Sequence, residues 1–199
     1  MLINATKLIG FPVLSLHVGG PVAKVTSIIV DPNDLSIIAF KVDGPTIGRD
    51  DIGTILEASS VREFSNIGMI IDSTDELVNP GDVIRLDEIM NLHFDVVGLK
   101  AVTKRGTKLG KVKDFTVTTD DFKLMQIIVE RPPLKALLDP ELVIGRSEIT
   151  EVTDYKIIFK DEEEKIRKKA VKEDFIPNFV NPFRKPDLDP VKAQRSDED

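Results

Sequence analysis

The sequence predicts an all-β fold of two small β-barrels in tandem, followed by a short C-terminal helix and a Pro-rich, partly disordered tail. Three observations predict it. The chain repeats itself: LIGFPVLSLHVGGPVAKVTSIIVDPNDLSIIAFKV from Leu8 is matched by VVGLKAVTKRGTKLGKVKDFTVTTDDFKLMQIIV from Val96. Within each repeat, short runs rich in Ile and Val are separated by Gly, Pro, Asn and Asp and show no 3.6-residue periodicity, which is the pattern of closely spaced strands. The composition of 199 residues, 41% hydrophobic and 31% charged, is that of a globular chain with modest cores.

The repeat aligns with one gap. Gly10 pairs with Gly98 at an offset of 88, whereas Lys24-Val25 pairs with Lys111-Val112 at an offset of 87, so a single residue is lost in the turn between them. The tails of the units match again at 88, with Ser59, Val61, Glu63, Ile67, Met69 and Ile71 opposite Ser147, Ile149, Glu151, Tyr155, Ile157 and Phe159. In the first unit, strands are expected over Val25 to Val30 and Leu35 to Val42, with a turn at Asp31-Pro32-Asn33-Asp34 and an end at Asp43-Gly44-Pro45. In the second, Phe115 to Thr118 and Leu124 to Val129 flank Thr119-Asp120-Asp121 and end at Arg131-Pro132-Pro133. Runs this short fit a small antiparallel barrel, which also removes exposed sheet edges.

These residues resemble the PRC-barrel. The pattern is a hydrophobic residue and Gly, a strand, a Gly-containing polar turn, Leu-Gly-Lys-Val, a strand, an acidic turn, a strand and a Ser-x-Ile-x-x-Val segment. It stands here as Val97-Gly98, Gly106, Leu109-Gly110-Lys111-Val112, Asp120-Asp121 and Ser147-Glu148-Ile149 through Val152. The first unit keeps Ile9-Gly10 and Lys24-Val25 but has Val22-Ala23 in place of Leu-Gly. The resemblance implies a fold shared by the cytoplasmic part of the photosynthetic reaction-centre H subunit and by the ribosome maturation factor RimM, and a role in interaction and assembly. It covers roughly residues 4 to 160 and specifies fold better than activity. The expected organisation is a first barrel over residues 1–80, a linker over 81–91, a second barrel over 92–160, a charged helix over 161–174 and a tail over 175–199.

The linker contains Asn79-Pro80-Gly81-Asp82, a strong turn signal, and then VIRLDEIMNL, whose apolar spacing fits a short helix or a strand. From Asp161, Glu163 precedes Arg167 and Glu164 precedes Lys168 by four, the favoured order for helical ion pairs. Pro177, Pro182, Pro186 and Pro190 then prevent regular structure. Yet Phe175, Phe179 and Phe183 are three of the 10 Phe in the chain. Two readings of this tail stand side by side. Phe175, Ile176, Phe179 and Val180 fold back onto a barrel as a satellite cluster, or the three Phe anchor a linear docking motif for a protein partner.

Charge argues against broad binding to nucleic acid: 27 Lys and Arg face 34 Asp and Glu, a net −7. The exception is Gly98 to Lys113, where Lys100, Lys104, Arg105, Lys108, Lys111 and Lys113 occur with no acid. Within it Lys104, Arg105 and Lys108 form a basic turn, read either as solvated or as a contact for an anion, RNA or an acidic protein. The stretch from Gly106 to Val112 is not a phosphate loop, since three residues separate its glycines and Val follows the Lys.

Other chemistry finds little support. With zero Cys and two His, His17 and His93, thiolate sites are absent from the sequence and neither His has a partner at a recognisable spacing. The acid pairs Asp50-Asp51 and Asp120-Asp121 fall in turn-like sequence, Asp31-x-Asn33-Asp34 is too short for a calcium loop, and Ser59 and Ser147 lack an activating base. No catalytic, metal or cofactor residue is assigned. No apolar run approaches the roughly 18 residues that span a bilayer, and MLINATKLIG lacks the features of a leader, so a cytoplasmic, uninserted protein is expected. The leading expectation is a noncatalytic adaptor with a protein partner. An RNA or ribosome-assembly factor resembling RimM is the alternative, and an enzyme with a site between the barrels comes third. A homodimer is left open, because the two units can pack on each other as an internal pseudo-dimer.

Overall fold

The computed structural model describes residues 1–45, 54–133 and 139–161. The strands are β1 Leu2–Asn4, β2 Pro12–Ser15, β3 Gly20–Val30, β4 Ile37–Asp43, β5 Ile55–Glu57, β6 Glu63–Phe64, β7 Met69–Ile71 and β8 Leu77–Val78 in the first half. The helix α1 Ile84–Asn91 leads into β9 Lys100–Thr103, β10 Lys108–Thr118, β11 Leu124–Glu130, β12 Glu141–Gly145, β13 Ile149–Thr153 and β14 Lys156–Phe159. The long hairpins form where β-branched and aromatic residues alternate with polar ones. Val25, Phe40 and Val42 are buried while Thr26, Lys41 and Asp43 are exposed.

The two sheets share one strand order. The first runs β6-β7-β2-β3-β4-β5-β8, and the second runs β13-β14-β9-β10-β11-β12, with β1 attached to β10. The agreement extends to register. Lys24↔Asp43, Ile28↔Phe40 and Val30↔Ile37 in the first sheet correspond to Lys111↔Glu130, Phe115↔Ile127 and Val117↔Leu124 in the second, at a constant offset of 87. The irregularities coincide too: breaks between Val25 and Ser27 and between Ile29 and Val30 recur between Val112 and Asp114 and between Thr116 and Val117. Bulges at the same positions bend both long strands alike.

One expectation is corrected. The sheets are not wholly antiparallel, because β2 pairs with β7 and β9 pairs with β14 in parallel. Among the described residues the ladder of each sheet is also an open path, so each is a half-barrel in its hydrogen bonding. A parallel partner 56 residues away along the chain cannot be read from local turn chemistry, which signals only adjacent hairpins.

The halves meet through a reciprocal exchange. The Ile37 amide donates to the Phe122 carbonyl at 3.0 Å and the Leu124 amide donates to the Leu35 carbonyl at 3.1 Å, on either side of an antiparallel bridge between Ser36 and Lys123. Residue i of one half contacts j of the other and the converse holds, the signature of an isologous contact within one chain. Leu35 and Phe122 both take left-handed backbone, with φ of 56° and 52°, and both are buried. Leu35 thus belongs to the turn rather than opening a strand as its apolar character predicts. Phe122 sets its ring edge-on to Phe40 at 5.2 Å and to Phe64 at 6.3 Å, and Phe64 stacks on Phe11 at 4.9 Å. One apolar core therefore runs through both halves.

Short segments reinforce the exchange. β1 pairs antiparallel with β10, with Leu2 opposite Thr118 and Asn4 opposite Thr116, so the first strand is hydrogen-bonded in the sheet of the second half. Asp114, 6% exposed, holds it there: its carboxylate accepts from Asn4 Nδ2 at 3.1 Å, the Thr6 amide at 3.2 Å, Thr6 Oγ1 at 2.6 Å and its neighbour's Phe115 amide at 2.8 Å. Asp114→Ala strands several part-buried donors and is expected to cost about 2–4 kcal/mol in urea denaturation, with Asp114→Asn losing about half as much.

The VIRLDEIMNL segment is a helix. Leu86 and Ile89, three apart on one face of α1, pack on Ile29, Ala39 and Ile55 of the first sheet's outer surface. The second sheet carries Thr116, Gln126 and Val143 at the matching positions, so its outer surface there is more polar. Arg85 of α1 reaches Asp31 at 3.6 Å, and the Asp31 carboxylate also accepts from the Asn33 amide and Asn33 Nδ2, both at 2.8 Å.

Candidate interaction surface

The basic turn foreseen in the sequence is the tip of the β9–β10 hairpin. Thr103 and Thr107 close it: the Thr103 amide donates to the Thr107 carbonyl at 2.9 Å, and the Gly106 amide donates to the Thr103 carbonyl at 2.9 Å. Gly106 takes φ +82°, the conformation a glycine supplies without strain. Lys104 and Arg105 sit at the tip, exposed. The Lys104 amide donates to the Phe159 carbonyl at 3.0 Å, and Arg105 Nε lies 3.9 Å from the Asp161 carboxylate. Lys108 follows on β10, opposite Val102. The hairpin therefore brings Lys104, Arg105 and Lys108 together. Phe175, Phe179 and Phe183, with the rest of the expected 161–174 helix beyond Asp161 and the expected 175–199 tail, lie outside the described residues, as do Asp50 and Asp51.

Folding adds Lys156 and Glu130, which lie outside the basic segment Gly98 to Lys113. On the outer side of the second sheet, Lys156, Lys100, Lys111 and Glu130 lie in one row across β14, β9, β10 and β11, since Lys156 pairs with Lys100, Lys100 with Lys111 and Lys111 with Glu130. Beside the row is a cavity of about 560 Å³ lined by Lys100, Lys108, Lys111, Arg131, Val102 and Pro132, among others. Lys156 lies 5.5 Å from the centroid of the Tyr155 ring. The signal for this row is present in the sequence only once the parallel β9–β14 register is known.

Two further clefts flank the contact between the halves. One, about 430 Å³, sets Asp120, Asp121 and Phe122 against Glu57, Ala58 and Arg85; the other, about 400 Å³, sets Asn33, Asp34 and Leu35 against Arg146 and Glu151. Their acids are fixed locally. Asp121 accepts from Thr118 Oγ1 and is 2.9 Å from Lys123 Nζ; the Thr118 hydroxyl first and Lys123 second draw its carboxyl down to about 2. Asp34 accepts from Ser36 Oγ at 2.6 Å and from the Ser36 amide at 2.9 Å. Its carboxyl is held below the ordinary value by those two bonds, against an opposing push from partial burial. These are turn-closing carboxylates that act as hydrogen-bond acceptors within their own turns. His93 is similarly occupied: its Nδ1 lies 2.7 Å from the Asn91 carbonyl.

Among the described residues, strand order, matching bulges and a single packed helix define a small all-β half-barrel domain. Comparison with known families identifies it further: a PRC-barrel domain is found at residues 88–165. No curated protein matches the chain. Among the described residues no helix is long and apolar enough to cross a membrane.

Proposed function

We propose that this protein is a noncatalytic interaction or assembly protein, an adaptor built on two tandem PRC-barrels. The observation that carries the reading is the constant register offset of 87 in the long hairpins, bulges included, between the half that holds the PRC-barrel domain and the half before it. Two units with equal topology, joined through the reciprocal Leu35 and Phe122 contacts, make a stiff support. Its outer surfaces differ in side chains while sharing a backbone, and that is what an adaptor needs if each surface has its own partner. PRC-barrel domains are often involved in protein interactions, which supports the same reading.

The test is an affinity capture with the intact chain and with a chain lacking residues 175–199. The intact protein is expected to retain one or more stoichiometric protein partners through washing. Retention by both chains assigns the contact to the barrels, and loss on truncation assigns it to Phe175, Phe179 and Phe183. Failure of the intact protein to retain any partner overturns the adaptor reading. An RNA-linked role resembling RimM has one observation in its favour, the basic tip at Lys104, Arg105 and Lys108. It predicts salt-sensitive co-sedimentation with RNA or ribosomal subunits, abolished by reversing those three charges.

A further inference from the structure

The two halves offer an internal control for what the fold itself requires of this surface. The row Lys156, Lys100, Lys111 in the second sheet corresponds to Gly68, Pro12, Lys24 in the first, and Lys108 corresponds to Pro21, which pairs with Leu14 as Lys108 pairs with Val102. The same backbone therefore stands with one Lys where the second half has four. The shared Lys is the one placed across from an acid, Asp43 in one sheet and Glu130 in the other. The additional three have no such partner in the register. Like charges placed directly opposite on neighbouring strands oppose folding, so the Lys156, Lys100 and Lys111 row costs the second sheet stability that the first shows to be avoidable.

Local ion pairing does not absorb these charges. Among the described residues, the side-chain ion pairs around the second sheet are Arg105 with Asp161, Lys113 with Glu141, Lys123 with Asp121 and Arg131 with Asp139. None of these takes up Lys156, Lys100, Lys108 or Lys111. Lys100, Lys108 and Lys111 are exposed residues around an apolar floor of Val102, walled by Pro132 and Pro133.

Resting on the adaptor reading, we propose that this groove is a docking site for an acidic polypeptide segment whose carboxylates meet Lys100, Lys108 and Lys111 and whose apolar side chains lie on Val102. Charge complementarity selects an anionic partner, and the apolar floor and proline wall select one that also carries apolar groups. Two features favour polypeptide over RNA. Among the described residues no aromatic side chain lines the groove to stack a base. The row also turns acidic at Glu130 and Glu141, so a phosphate backbone running across it would leave its cations within two strands.

The experiment uses the full chain and a fluorescent peptide alternating Glu and Leu, followed by anisotropy. A Lys-Leu peptide, a single-stranded RNA of matched length and vesicles containing phosphatidylserine serve as competitors. The proposal expects saturable binding of the Glu-Leu peptide, about tenfold weaker in the triple variant Lys100→Gln, Lys108→Gln, Lys111→Gln. The first-sheet control Lys24→Gln is expected to bind as the unaltered chain does. Lys100→Gln alone should weaken binding while raising the melting temperature by about 1–2 °C, because it relieves like-charge opposition. Unchanged peptide binding by the triple variant, or tighter binding of RNA or vesicles than of peptide, overturns the proposal. Its failure is separable from that of the adaptor reading: a triple variant that still captures the intact protein's partners sinks the groove and leaves the adaptor standing.

Discussion

Phe122→Ala is expected to lower the free energy of unfolding by about 3–5 kcal/mol, the range for truncating a fully packed aromatic. The size follows from position. Phe122 is 3% exposed, its ring contacts Phe40 and Phe64 of the other half, and its carbonyl accepts the Ile37 amide at the bridge between the halves. Truncation opens a cavity where two sheets share one core, and neither sheet can collapse into it without shifting the Ser36 and Lys123 bridge. A second substitution tests the backbone part. At φ of 52° a side chain is strained and glycine is not. Phe122→Gly is therefore expected to be no less stable than Phe122→Ala although it removes one more carbon, by an offsetting gain of about 1 kcal/mol. Guanidinium denaturation of both variants, monitored at two wavelengths, checks the order. If glycine is the worse by about a full kcal/mol, left-handed strain at this turn does not limit stability.

What could be read from the sequence divides along physical lines. Interactions between neighbours in the chain leave a local pattern. The long hairpins were legible because β-branched residues alternate over β3, β4, β10 and β11, and the turns because Asp31 to Asp34 and Thr119 to Asp121 carry turn-forming side chains. Gly106 is legible as a turn glycine, and it takes positive φ. Interactions between distant segments leave none. The parallel pairing of β2 with β7 and of β9 with β14 depends on closure over many residues. The pairing of β1 with β10 depends on Asp114, whose three bonds to Asn4 and Thr6 span more than a hundred positions. Leu35 reads as the apolar opening of a strand because hydrophobicity reports burial and not the sign of φ. The basic tip was found by composition alone, but the Lys156, Lys100 and Lys111 row required the register that folding sets.

The Leu-Gly-Lys-Val motif gives the sharpest test of why one half carries a glycine that the other does not. Gly110 has φ of +152°, and a Cβ built on it would lie 1.9 Å from the Glu130 carbonyl oxygen, with Val129 Cγ1 at 2.9 Å. The obstacle is backbone across a paired strand, since Lys111 and Glu130 are register partners, so no rotamer change relieves it. Gly110→Ala must then either separate β10 from β11 or turn Gly110's φ negative and rebuild the irregularity between Lys108 and Gly110. We expect a loss of about 3–4 kcal/mol, the upper range for overpacking combined with backbone strain, read as a lowered denaturation midpoint with the slope unchanged. The matched position of the first half is Ala23, paired with Val13 as Gly110 is with Ala101, and it lacks positive φ. Ala23→Gly is accordingly expected to cost only about 1 kcal/mol, from lost packing of a buried methyl and added backbone freedom. Equal losses at the two sites would mean that the bulge, and not the side-chain-free approach of β10 to Glu130, is what the glycine secures. Unequal losses in the expected order locate the motif's requirement in a single close contact, one that the first half satisfies with a different backbone while keeping the same strand order.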